Sequence, residues 1–157
     1  MRKFVDGINK YLKWITIVST MVMLFVTFIQ VFFRYVLQSS LTFSEELVRY
    51  LFVYTVFFGA AFVAKENGHI VVEVITTKLK GEMAKYTKIV GYGTLMLFIT
   101  ILFYQGCRMV ILTYHQISPA LLIPMSYVYL AIPIASFVMF CNVLILIIDT
   151  LHSDQLN

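Results

Sequence analysis

FSEELVRYLFVYTVFFGAAFVAKENGHIVVE, residues Phe43–Glu73, decides the fold. Two carboxylates and an arginine stand at its head, and a polar cluster of lysine, glutamate, asparagine, glycine and histidine stands at its foot. Between them the residues are almost all apolar. Ser44 is a favoured helix N-cap, and Glu45 and Glu46 fall in the first turn, where the helix dipole favours anions. From Ser44 to Lys65 the helix would rise about 33 Å, enough to cross the hydrocarbon core of a bilayer. Gly59, Ala60, Ala61 and Ala64 slim one side for close helix contact.

The rest of the chain has the same character. It has 157 residues, 61% of them hydrophobic and 13% charged. A soluble domain of this size cannot hide so much apolar surface, because small folds keep much of their surface in water. One compact membrane domain is expected, all-α and without a sizeable soluble domain beside it. The net charge of +4 is modest. It points to membrane orientation rather than to a nucleic-acid partner. Cys107 and Cys141 lie in apolar runs without a CxxC spacing, and read as buried free thiols.

Three further apolar runs complete the pattern. WITIVSTMVMLFVTFIQVFF, residues 14–33, is long for a signal-peptide core and lacks an A-x-A cleavage site, so it reads as a retained helix. Transmembrane helices are predicted over about 12–36, 44–65, 86–114 and 126–150. Pro133 falls inside the last and should kink it, since proline removes a backbone donor and crowds the carbonyl of Tyr129. Between the second and third, Val72, Ile75, Leu79, Met83 and Tyr86 recur at helical spacing opposite Glu73, Thr77, Lys80 and Glu82. That predicts an amphipathic helix on the membrane surface over about 70–80.

Basic residues set the expected orientation. Arg2, Lys3, Lys10 and Lys13 precede the first span, and Lys65, Lys78, Lys80, Lys85 and Lys88 surround the middle connection. The positive-inside rule places both termini and that connection in the cytoplasm. The segments 37–43 and 115–125 then face outward.

Chemistry is sparse. No Asp or Glu lies mid-helix, which argues against a proton-coupled exporter built on a buried carboxylate. Ser19, Thr20, Thr27 and Gln30 are expected to bond neighbouring helices or their own backbone. His69, His115 and His152 fall at helix ends or in loops, unlike the facing pair a haem-b anchor needs. No catalytic or phosphate-loop motif occurs, and no metal ligands are assigned, so an enzyme is not expected. Glu45 and Glu46 stand four and three residues before Arg49, where either can meet it on one helix face. An arginine more than a turn inside a span needs a partner, so Glu46 and Arg49 are expected to face protein, within this chain or across a subunit interface.

The order RY (34–35), FSEELVRYLFVYTVFFGAAF (43–62), NGHIVVEV (67–74) and SPALLIPMSYVYLAIP (118–133) resembles the small membrane subunit of tripartite ATP-independent periplasmic (TRAP) transporters, the DctQ-like family. The resemblance covers nearly the whole chain. On matching positions it marks Arg34, Glu46, Arg49, Gly59, His69 and Pro133 as recurrent features. Glu73 stands where the family often has Asp, and Phe43 where it often has Trp. The resemblance implies a bacterial inner-membrane accessory subunit. Its partners would be membrane lipid, a large elevator-type membrane subunit and a periplasmic substrate-binding protein. It would hold no cofactor of its own, with sodium bound in the large subunit and an organic acid, a sialic acid or a C4-dicarboxylate, as cargo. Two other readings stand beside it: a membrane-anchor subunit of a redox enzyme, and a self-assembling small transporter.

Overall fold

The computed structural model describes residues 2–39, 41–66 and 82–153, with side chains described over 5–39, 41–65 and 90–148. Among the described residues the regular elements are all helices: α1 Arg2–Tyr35, α2 Thr42–Glu66, α3 Glu82–Leu112, α4 Met125–Tyr129 and α5 Ala131–Ser153. Four stretches are long and apolar enough to span a membrane: Val5–Tyr35, Thr42–Lys65, Val90–Leu112 and Met125–Ile148. The chain is therefore an all-α membrane protein. The amphipathic helix expected over 70–80 lies outside the described residues.

α1 packs on α2, α2 on α5, and α5 on α3, while among the described residues α1 and α3 do not meet. α5 is thus the central element. The core is built from Leu12, Phe58, Ala61, Ala131, Ala135 and Val138, with Ile8, Val53, Tyr54, Phe57 and Met139 packed against it. Ala61, Ala131, Ala135 and Ser136 are fully buried. Apolar side chains gain little by leaving lipid for one another, so such bundles are held by close van der Waals fit and by hydrogen bonds between helices. Small side chains at the crossings supply the fit.

α1 begins at Arg2, ten residues before the predicted start at 12. Two polar residues of this first stretch, Asp6 and Asn9, are engaged in the fold. Val5 and Leu12 are buried. Asn9 and Asn142 bond each other in both directions, at 2.7 and 2.9 Å. The remaining Asn9 amide proton goes to the carbonyl of Val5 at 2.8 Å, and that of Asn142 to the carbonyl of Ala61 at 2.9 Å. This fully satisfied cluster ties α1, α2 and α5 together. Beside it Lys65 reaches Asp6 at 2.6 Å, and the Lys13 ammonium lies 5.0 Å from the centre of the Phe62 ring.

The last span is interrupted at Leu130, between α4 and α5. Pro133 has no N–H to give the carbonyl of Tyr129, while the bonds on either side, Leu130 to Ser126 and Ile134 to Leu130, are kept. Gly106 of α3 packs against this point. A Cβ there would stand 2.9 Å from Ile132 Cγ2 and 3.0 Å from Pro133 Cδ, so only glycine permits the approach. At Gly59, by contrast, a Cβ would meet only Thr16 Cγ2 at 3.7 Å, an ordinary contact.

A candidate interface at the Glu46 end of the bundle

α2 opens at Thr42 rather than at the predicted Ser44. Ser44 is not the N-cap: its hydroxyl donates back to the carbonyl of Leu41 at 2.6 Å, and the residue is buried. Glu45 is exposed and accepts from Gln30 of α1 at 3.3 Å. Glu46, one residue on, turns inward and is 9% exposed.

The loop between α3 and α4 closes on that carboxylate. Met125 N–H bonds the carbonyl of Gln116 at 2.8 Å, Ser118 N–H that of Ile123 at 2.9 Å, and Leu122 N–H that of Ser118 at 3.2 Å. The reversal places Leu122 in the left-handed region, at φ 55, a conformation that costs a non-glycine residue about 1–2 kcal/mol. The turn so formed aims two successive amides at Glu46. Its Oε2 accepts from Ala120 and Leu121 N–H, both at 2.9 Å. Its Oε1 accepts from the Tyr50 hydroxyl, which also lies 3.1 Å from the Met125 sulfur. Consecutive backbone amides converging on an anion form a nest, and charged hydrogen bonds of this kind are among the stronger ones. Nearby, the Tyr54 hydroxyl donates to the carbonyl of Tyr127 at 2.6 Å, joining α2 to α4.

The expected pairing of Glu46 with Arg49 is not made within the described residues. Glu46 faces protein inside this chain, but its partners are Tyr50, Ala120 and Leu121. Its two oxygens are already occupied, and Arg49 points outward. Arg49 lines an open groove of about 430 Å³ with Thr42, Glu45, Glu46, Pro119 and Ala120. Arg34 lies exposed in the last turn of α1. Gly59 and Pro133 sit at helix contacts, as described above. His69 and Glu73 lie outside the described residues. Asn9, Asn142, Tyr50, Ser118 and Gly106 emerge only from the fold. Asn9 with Asn142, and Gly106 with Pro133, join positions far apart in the chain, so no local spacing points to them, whereas Tyr50 stands only four residues after the Glu46 it bonds. The helix-one hydroxyls behave as expected: Thr20 and Thr27 bond the carbonyls of Thr16 and Met23, at 2.8 and 2.7 Å.

Residues 23–152 match the family described as tripartite ATP-independent periplasmic transporters, DctQ component. The chain belongs to the DctQ family. A Haemophilus influenzae protein assigned as a TRAP transporter small permease protein is 31% identical over 134 residues, 85% of this chain and 81% of that protein. The C4-dicarboxylate TRAP transporter small permease protein DctQ of Rhodobacter capsulatus is 34% identical over 102 residues, 64% of this chain and 45% of that protein. A second H. influenzae protein with the same assignment as the first is 37% identical over 79 residues, covering 50% and 49%. A DctQ chain is a small permease subunit, a transport component rather than an enzyme, and with four apolar spans it is a multi-pass protein of the inner membrane. The redox-anchor reading gives way to this family.

Proposed function

We propose that this subunit is a fixed brace for the large membrane subunit of a sodium-coupled TRAP transporter. The observation that carries the proposal is what its buried polar groups do. Asn9, Asn142 and Glu46 sit in or beside the spans, where an ion-coupling chain would keep groups free for its ion. Here each is consumed by bonds that hold the bundle together. A chain so committed supports transport by scaffolding. Cargo and sodium belong to the large subunit, and this subunit needs no cofactor.

The distribution of Lys and Arg supports cytoplasmic termini. The Glu46 end of α2 and the segments 37–43 and 115–125 then face the periplasm. They offer the substrate-binding protein part of its docking surface, with Glu46 holding the second segment in shape. The cargo is an organic acid, a sialic acid or a C4-dicarboxylate. The second of these is in the name of the R. capsulatus relative.

Co-purification tests the brace. Affinity capture of this tagged chain from membranes should bring down the large subunit in a fixed ratio. A chain that purifies alone after co-expression sinks the proposal. Orientation is tested by thiol labelling of Ile117→Cys, an exposed position of the same segment, in intact cells. Reaction with a membrane-impermeant reagent from the periplasm is expected, and reaction only from the cytoplasm overturns the assignment.

A further inference from the structure

We infer that the outer face of α3 holds one membrane phospholipid, with its phosphate on Arg108, in the leaflet at the Glu46 end of the bundle. Such a site is a property of the chain in its bilayer and stands apart from its role as a brace.

Gly106 is the point where α3 presses on α5. Arg108 lies two residues further, about 200° round the helix, so it faces away from that contact, and it is exposed. It also falls inside the apolar span Val90–Leu112. A guanidinium there is costly without an anion. This chain has none to give it. No Asp or Glu occurs between Glu82 and Asp149. Glu82 stands at the opposite end of α3, about 39 Å along the helix. Glu45 and Glu46 belong to α2, which among the described residues does not meet α3. The anion therefore comes from outside the chain.

Two features select a lipid phosphate over a carboxylate of another protein. The first is depth. Arg108 stands four residues before the end of α3 at Leu112, about 6 Å along the axis. An extended arginine covers that distance, so its guanidinium reaches the headgroup layer while its methylenes stay among apolar groups. Tyr104 and Tyr114 stand exposed on either side of it in sequence, as tyrosines do where a membrane meets water. The second feature is the surface below. Helix contacts inside this chain run through Ala61, Ala131, Ala135 and Gly106, small residues that let backbones approach. From Arg108 toward the middle of the membrane, the outer face of α3 continues through Tyr104, Ile101 and Leu97, all large and all exposed at spacings of three and four. That stripe lacks the small residues a second helix would use, and suits an acyl chain. Gln105, exposed and three residues before Arg108, offers an amide to a second phosphate oxygen.

The test uses the assembly that this chain forms in its membrane, released in mild detergent. Native mass spectrometry follows the binding of added phosphatidylglycerol, and of a glycolipid with the same acyl chains but no phosphate. Arg108→Gln should weaken phosphatidylglycerol binding at one site about fivefold or more, because a charged hydrogen bond is lost. Glycolipid binding should not change, and Arg108→Lys should keep most of the phosphatidylglycerol binding. A photo-crosslinking residue placed at Ile101 in intact membranes should capture lipid. Equal phosphatidylglycerol binding by the wild type and Arg108→Gln overturns the site, as does an equal loss of both lipids. Capture of another protein chain by the Ile101 probe also overturns it, in favour of a protein carboxylate.

Discussion

Glu46 and Ala120, 74 residues apart in sequence, are joined by a 2.9 Å hydrogen bond from backbone amide to carboxylate. With the matching bond from Leu121, it fixes a whole interhelical loop to the first turns of α2. A carboxylate expected from its place in sequence to face protein is a fastening in three dimensions.

Glu46→Ala therefore strands the Ala120 amide and the Tyr50 hydroxyl and leaves Leu121 N–H only its 3.2 Å bond to Ser118 Oγ. The expected cost is about 1–3 kcal/mol, concentrated in the loop, since an unpaired buried donor loses its full solvation. Hydrogen exchange at Ala120 and Leu121 should accelerate roughly tenfold or more while the α3 interior stays protected. Unchanged exchange at these two amides would remove the fastening role.

Asn9 and Asn142 are expected to be coupled. Either one changed to Ala should lower stability by about 1–2 kcal/mol, the range of hydrogen bonds between membrane helices. The double variant should cost less than the sum, because each single change already breaks the reciprocal pair. Thermal unfolding of all four proteins in one detergent gives the cycle, and strict additivity would contradict the reciprocal bonding.

The glycines separate sharply. Gly106→Ala puts a Cβ 2.9 Å from Ile132 and 3.1 Å from the Pro133 backbone, so α3 and α5 must move apart. Overpacking of this kind costs about 1–3 kcal/mol. Gly59→Ala has its nearest neighbour at 3.7 Å and should be neutral or slightly stabilising, as alanine favours helix. The two melting temperatures should fall on opposite sides of, or at very different distances from, that of the parent. Equal losses would dispute the close approach at Gly106.

Lys65 and Asp6 form an ion pair with side chains 37% and 56% exposed. Exposed pairs contribute at most about 1 kcal/mol and are screened by salt. Lys65→Met should thus shift stability by less than the Asn9 variant, and the small difference should vanish in high salt.

The spans were legible because hydrophobic length is a local property, and each apolar run carries it without help from elsewhere. The ends were not. Asp6 and Asn9 precede the span predicted from about 12. Inside α1 they meet Lys65 and Asn142, partners distant in sequence. Ser44 has the chemistry of an N-cap but uses its hydroxyl on Leu41, with the helix already begun at Thr42. For Glu46 and Arg49, spacing placed both on one side of α2. It did not reveal that the loop amides take the carboxylate and leave the guanidinium outside. Gly106 shows the same limit. The cluster from Gly59 to Ala64 drew attention by composition, whereas it is at the lone Gly106, opposite Pro133, that a Cβ would collide.

Sodium-driven uptake in proteoliposomes containing the large subunit and supplied with the binding protein, with and without this chain, tests the role of brace most directly. Labelled sialic acid and a labelled C4-dicarboxylate serve as the two cargo probes. One of them should accumulate only when all three components are present, and this chain alone should accumulate neither. Uptake by this chain alone, or full uptake in its absence, would contradict the role of an accessory brace.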